Sequence, residues 1–437
     1  MRGRLVLLTI IVGLLVFLFI FQNFVNTFWA SITMMAFMVL YCSYMYVATK
    51  HQARKIKKNP PVINEGYKPF ITIMVPAHNE GTVIYKTVEN ILTLDYDKYE
   101  LILIDDRSDD NTAEVIKEIE KEHPQIKALI RDKSAFPGKS AVLNDALEMA
   151  EGEAILVFDA DARIKPDFIN KLLPKLEPED VGAVQARKVI SNRNDNFLTR
   201  CQDNEMALDT HFQVGRDAVK GAVELRGNGE LIKRVALNDI GGWNNYTITD
   251  DLDMSTRMQI KGWDIRFCPD VCVYEEGVLK LIPLLRQRRR WIEGSIRRYL
   301  ENFWAVLCSK DMSLRVSLDM TAYIFEFILP LWFFSEIAFQ LFRYIKYDEN
   351  QILSSLTLTV FIFIFFMTGL MYSLRKYNYL KPVENVKQSI ETCFYLVFLW
   401  FPIVVFIIFK IIFKKKTMDW GKTAHGQAKG EQPALVK

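Results

Sequence analysis

Two acidic stretches hold the residues best suited to chemistry. "FDADAR" (158–163) places Asp159 and Asp161 two apart behind an apolar run. Carboxylates so spaced suit a hard divalent cation, which takes oxygen ligands and shares them with a diphosphate; a solvated turn is the bland alternative. "TITDDLDMSTR" (247–257) holds Asp250, Asp251 and Asp253. Three carboxylates this close repel one another, so at least one keeps a raised pKa unless a cation is near, and a poised carboxylate is what a general base needs. Asp105 and Asp106 close another apolar run, where they can accept hydrogen bonds from a base or ribose or cap the helix that follows. Asp109 and Asn111 read as caps. Lys139 in "FPGKSAVLNDAL" follows a glycine and precedes a helical stretch; it is placed to meet a phosphate as a point charge or to lie at the surface. In "ELRGNGELIKR" (224–234) Gly227 and Gly229 bracket Asn228, which permits close backbone approach to a ligand or makes a plain turn.

"RQRRRWIEGSIRRYL" (286–300) crowds arginines shortly before a long apolar run. On a helix, successive residues step by about 100°. Arg288, Arg289 and Arg290 then fan over more than half the circumference and cannot all face one lipid plane. Gln287, Arg290 and Trp291 fall at i, i+3 and i+4 and share a face. An arginine beside an indole and a carboxamide can hold a diphosphate and close a pocket over an acceptor. Arg286, Arg288, Arg297 and Arg298 are left for lipid head groups or solvent.

The elements that must position these residues follow an alternating pattern. "FITIMVPAHNE" (70–80), "YELILIDDRSDDNT" (99–112), "IKALIRD" (126–132) and "EAILVFDADARI" (153–164) read as strands. Between them lie helical stretches at 81–94, at 113–124, closed by Pro124, and at 140–150. The pattern predicts an α/β fold, mainly a parallel sheet with helices on both faces. Ligands in such sheets bind beyond the carboxyl ends of the strands, and Asn79, Glu80, Asp105, Asp106, Asp159 and Asp161 all stand at those ends.

The chain has 437 residues, 50% of them hydrophobic, and a net charge of +3; length alone suggests two or three domains, and nothing marks a nucleic-acid binder. The six cysteines complete no zinc pattern and read as reduced thiols. Uncharged runs at 5–21 and 28–48 are each long enough to cross a bilayer. They predict an N-terminal transmembrane hairpin (1–50) whose basic flanks, "MRGR" and "KHQARKIKK", place both ends in the cytoplasm. A cytoplasmic α/β domain (60–300), an interfacial segment (301–319), transmembrane segments (320–413) and a basic cytoplasmic tail (414–437) follow. The apolar runs near 320–342, 352–374 and 392–413 would leave the C-terminus outside, whereas the tail belongs inside, so one run is expected to be interfacial or re-entrant. Glu326 and Glu336 are candidates for function within the membrane or for helix–helix contact.

In this order, the acidic strand end, "FDADAR", "TITDDLD" and "QRRRW" resemble the membrane-bound inverting glycosyltransferases of family 2, which include cellulose, chitin, hyaluronan and poly-N-acetylglucosamine synthases. The resemblance spans roughly 70–300 and the flanking membrane segments. It implies a GT-A fold, a UDP-sugar donor, Mg2+ or Mn2+, and a catalytic domain on the cytoplasmic side of a cell or thylakoid-type membrane. It assigns Ala77, Glu80 and Asp106 to uridine, Lys139 to the donor, Asp159 and Asp161 to metal and nucleotide, Asp251 to the catalytic base, and Gln287, Arg290 and Trp291 to the final motif. Asp250 departs from the glutamate common in polymer synthases but keeps the charge. Asp250, Asp253 and Asn228 are expected on the acceptor side and Asp105 on the donor side. "ELRGNGELIKR", "GGWNNYTITDDLD" and "EEGV" look more narrowly like the β-monoglucosyldiacylglycerol synthases, which implies glucose transfer to diacylglycerol. The alternative is a processive polysaccharide synthase with a growing glycan as acceptor and a small membrane partner subunit.

Overall fold

The computed structural model describes residues 13, 27–59, 64, 66–347 and 352–413. The expected first span, Gly13 apart, and the basic tail lie outside the described residues. Seven strands form one sheet: β1 (Ile71–Ala77), β2 (Tyr99–Asp105), β3 (Ile126–Ile130), β4 (Ala154–Val157), β5 (Val181–Ile190), β6 (Glu230–Lys233) and β7 (Asp264–Glu275), ordered β3-β2-β1-β4-β6-β5-β7. β1 pairs in parallel with β2 and β4, and β2 with β3, whereas β6 runs antiparallel to β4 and β5.

The near-continuous apolar runs of β1, β2 and β4 follow from burial on both faces, and side-chain alternation divides them between two cores. Ile71, Ile73, Val75, Leu101 and Leu103 pack on one face with Ile84, Ile116 and Phe168. Those partners come from α2 (Ile84–Ile91), α3 (Thr112–Glu122) and, after α4 (Lys139–Met149), from α5 (Phe168–Leu176). Met74, Ile102, Ile104, Ile155 and Val157 pack on the other face with Leu143, Leu237 and Met258. These belong to α4, α7 (Arg234–Asp239) and α8 (Asp250–Ile260), while α6 (Phe197–Val219) links β5 to β6. The fourth strand is shorter than its apolar run suggests: after Val157 the chain leaves the ladder, and the Ala162 amide bonds back to the Asp159 carbonyl at 3.0 Å. The Asp-Ala-Asp sequence therefore sits in a turn at the sheet edge.

α1 (Thr27–Lys58) precedes the sheet; α9 (Leu281–Cys308), α10 (Leu314–Tyr323), α11 (Phe325–Tyr347), α12 (Ile352–Tyr377), α13 (Pro382–Tyr395) and α14 (Phe401–Phe413) follow it. The expected boundary at 300 falls inside α9. Among the described residues four spans are long and apolar enough to cross a membrane: 32–58, 314–338, 357–377 and 382–413. The second starts before 320 because Ile324, between α10 and α11, keeps helical geometry. A π-helical turn, Leu396–Trp400, joins α13 to α14 just before Pro402, whose missing N–H breaks the helical ladder.

Candidate active site

The parallel register brings the carboxyl ends of β1, β2 and β4 together. The Asp106 amide bonds to the Ala77 carbonyl at 2.7 Å, and His78 Nδ1 lies 2.7 Å from the Asp106 carbonyl oxygen. The Asp106 carboxylate receives Arg131 at 2.6 Å and Arg107 at 2.9 Å. Burial raises its pKa, but the two guanidinium groups prevail and hold it below the usual carboxylate range. Asp105 lies deeper, 2% exposed; one oxygen accepts the Ser108 amide at 3.3 Å and Oδ1 has no partner. The capping role expected of Asp109 and Asn111 belongs instead to Asp110, which accepts the Thr112 amide at 3.0 Å and the Gly81 amide at 3.3 Å. Asp109 pairs with Lys133 and Asn111 makes no side-chain cap bond.

Lys139 opens α4 and turns inward, donating to Asp159 Oδ1 and to the Gly227 carbonyl, both at 2.6 Å. Asp159, Asp250 and Glu230 together raise its pKa against the opposing effect of burial. The glycine-bracketed turn is a close-approach site: Gly227 and Gly229 have φ of +75° and +69°, which glycine adopts without steric cost. A Cβ on Gly227 would stand 3.3 Å from Asp251 Oδ2. Asn228 is fully buried; it accepts the Asp159 amide at 3.2 Å and donates to Glu275 at 3.3 Å. Its place is behind Asp159.

The first turn of α8 presents Asp250 and Asp251. Burial first, then the charge of Asp250, raises the Asp251 pKa to about 6, although Oδ1 accepts the Leu252 amide at 2.8 Å. Asp250 Oδ2 is buried without a partner among the described residues. Asp253, expected beside them, turns back onto Arg257 at 2.7 Å, as the i, i+4 spacing of a helix allows.

Glu230 is a buried acid beneath the site that the sequence reading passed over. Burial, and after it the charges of Asp251 and Asp250, raise its pKa to about 8 against the pull of Lys139. A glutamate opening the apolar strand "ELI" was the available signal. Lys188, near the C-terminal end of β5, pairs with Glu275 at 2.8 Å and was likewise missed.

On α9 the Gln287, Arg290 and Trp291 side chains all line one cavity. Three of the four arginines assigned to head groups or solvent prove otherwise. Arg288, Arg297 and Arg298 are 1%, 8% and 1% exposed, and each meets an acid: half-buried Glu205 at 2.7 Å, buried Glu293 at 2.9 Å and buried Glu224 at 2.7 Å. Arg286 alone of the four is exposed. Arg288 also donates to Gln287 at 2.7 Å and lies 4.3 Å from the Trp291 ring centroid, so it orients two of the three motif side chains.

A cavity of about 660 Å3 joins these parts. Its walls include Ala77, Glu80, Asp106, Lys139, Asp159, Asp161, Asp250, Asp251, Gln287, Arg290 and Trp291, and it continues between membrane-type helices to Phe325, Phe366 and Trp400. Asp105, Asn228 and Asp253 are not among the lining residues. Among the described residues no three His, Cys, Asp or Glu side chains gather as a ready-made metal cage. Asp159 and Asp161 do face the same cavity, and Asp161 Oδ2 accepts the Glu276 amide at 3.0 Å. Two carboxylates there fit an ion of the magnesium kind, which keeps waters and completes its shell with phosphate oxygens.

Comparison with known proteins identifies the chain's relatives and shows the same fold in a solved structure. Residues 69–294 match the family described as "Glycosyltransferase like family 2". The chain is 37% identical over 370 residues to the beta-monoglucosyldiacylglycerol synthase of Nostoc sp., covering 83% of this chain and 77% of that protein. It is 29% identical over 249 residues to the poly-beta-1,6-N-acetyl-D-glucosamine synthase of Staphylococcus epidermidis, covering 56% and 59%. A mannosyltransferase from Pyrobaculum calidifontis, solved with GDP-Man and Mn2+, shares the fold: its TM-score is 0.59 at 19% identity, over 87% of this chain and 99% of that one.

Proposed function

The chain belongs to glycosyltransferase family 2, and from that membership we propose an inverting membrane enzyme that moves one sugar from a UDP-sugar to diacylglycerol. Glucose is the favoured sugar, since the relatives at 35–37% identity are beta-monoglucosyldiacylglycerol synthases. The observation that carries the reading is the shape of the cavity. A single space runs from the carboxylates at the sheet edge to aromatic side chains of helices apolar enough to span a bilayer. A nucleotide fits the charged end, and acyl chains fit the apolar end.

The residues then take the following roles. Ala77, Glu80 and Asp106 receive the uridine, with Asp105 bracing the loop beneath it. Asp161 and Asp159 would hold Mg2+ or Mn2+, which when bound supplies positive charge against the departing diphosphate. Lys139 keeps Asp159 in place, and Arg290 faces the same charge from α9. Asp251 accepts the proton of the acceptor hydroxyl as that oxygen attacks the anomeric carbon in line, so an α-linked donor yields a β-linked product. A pKa near 6 suits this work: the group is mostly ionised at neutral pH yet more basic than an ordinary aspartate. Trp291, held by Arg288, closes the wall beside the acceptor. The basic C-terminal end of α1 supports a catalytic domain on the cytoplasmic side.

The test is to incubate the purified full chain with labelled UDP-glucose, Mn2+ and diacylglycerol. A single chloroform-soluble glycolipid is the expected product. A long water-soluble chain would instead establish the polysaccharide-synthase alternative.

A further inference from the structure

Below Asp251 the cavity passes a layer of buried charges, and their balance bears on what the cavity admits. Arg226 binds Asp209 at 2.6 Å and Glu224 at 2.9 Å; Arg216 meets Glu224 at 3.3 Å and Asp319 at 3.4 Å; Arg298 meets Glu224 at 2.7 Å. The Tyr41 hydroxyl also donates to Asp319. Three arginines thus face three acids. Glu326, on the cavity wall at the start of α11, is a fourth acid; it forms no ion pair among the described residues, and its Oε2 is buried without a hydrogen-bond partner. The Tyr323 hydroxyl, one turn earlier, lies beside it, and the Arg216 guanidinium stacks 4.2 Å from the Tyr323 ring. Arg226, Asp251 and Glu326 all line this one cavity.

An unpaired buried acceptor oxygen costs about 1–3 kcal/mol unless a donor reaches it, and a carboxylate in a charge-balanced layer repels an anion. We propose that Glu326, with Tyr323, forms an acceptor subsite for a neutral, hydroxyl-bearing lipid head group and excludes lipids carrying a phosphate. This deepens the proposed function, on which its lipid chemistry rests. The head group donates a hydroxyl hydrogen to Glu326 Oε2 while the acyl chains run on between the aromatic helices. Glu326 is a binding and selectivity residue; it takes no part in the displacement.

The proposal is tested by binding and by kinetics on the full chain in detergent. Glu326→Gln keeps the shape and removes the charge. It is expected to weaken dioctanoylglycerol binding about tenfold and to raise the KM for that lipid by a similar factor. UDP binding and kcat should change less than twofold. Phosphatidic acid, inert toward the unaltered chain, should become a competitive inhibitor of the variant. Equal dioctanoylglycerol affinity in the two proteins, or inhibition of both by phosphatidic acid, would overturn the subsite. Should the unaltered chain bind dioctanoylglycerol but transfer no sugar to it, the reaction assignment fails while the subsite stands. If Glu326→Gln does not fold, Tyr323→Phe is read in the same way, with unchanged lipid affinity again counting against the subsite.

Discussion

Asp251 sits where burial and Asp250 both oppose its ionisation, and that opposition sets its pH behaviour. As the proposed base Asp251 would work as the carboxylate, so transfer should rise with pH through about 6. Asp250→Asn removes the neighbouring charge and should move this acid limb to lower pH in a kcat/KM profile. Asp251→Asn should lower transfer by at least about a thousandfold while UDP affinity, measured by calorimetry, stays within about twofold. Glu230 makes a separate prediction about stability. Its folded pKa of about 8 lies above the ordinary glutamate value, so the folded state binds the extra proton. The stability gained from it is present at low pH and is lost as pH rises toward 8. Glu230→Gln should flatten that loss, giving a thermal midpoint above that of the unaltered chain on the alkaline side of 8. This residue was hidden in the sequence because its meaning depends on Lys139 and Asp251, which only the turn at Gly227 brings beside it.

The elements owe their precision to a few close approaches. α9 crosses the start of α8 at Gly294, where an added Cβ would stand 2.3 Å from Thr249 Cγ2. Thr249 is the residue before Asp250, so a side chain here must displace the turn that carries the proposed base. Gly294→Ala should cost about 1–3 kcal/mol through overpacking and lower kcat more than it raises the KM for UDP-sugar, as steady-state kinetics with a melting curve would show. The Arg288–Glu205 pair joins α9 to α6, and the Tyr395 hydroxyl donates to the same glutamate at 3.1 Å from α13. Glu205→Gln leaves a buried guanidinium without its charge partner, for a loss of about 3–5 kcal/mol. Sequence periodicity placed Gln287, Arg290 and Trp291 correctly on one face. It could not reveal that Arg288 and Arg298 turn into the protein, because their acid partners Glu205 and Glu224 lie far away in sequence, nor that the i, i+4 pair Arg297–Glu293 faces inward, which packing against the rest of the chain decides.

At the scale of the whole molecule, the strand–helix alternation and its acidic edge were legible because period-2 and period-3.6 patterns are local properties. The reversed strand β6 was not, since "ELIK" carries no mark of direction, and neither was the continuity between the soluble sheet and the membrane-type helices. That continuity decides how the protein should respond to its surroundings. The cavity has one end lined by carboxylates and one lined by aromatic side chains of membrane-type helices, so the proposed acceptor is counted in moles per mole of lipid, not in moles per litre. At fixed total diacylglycerol, adding inert phospholipid vesicles should slow transfer by surface dilution, while the apparent affinity for the nucleotide sugar stays constant. A rate that followed bulk diacylglycerol concentration regardless of added lipid would mean that the glycolipid precursor arrives through water.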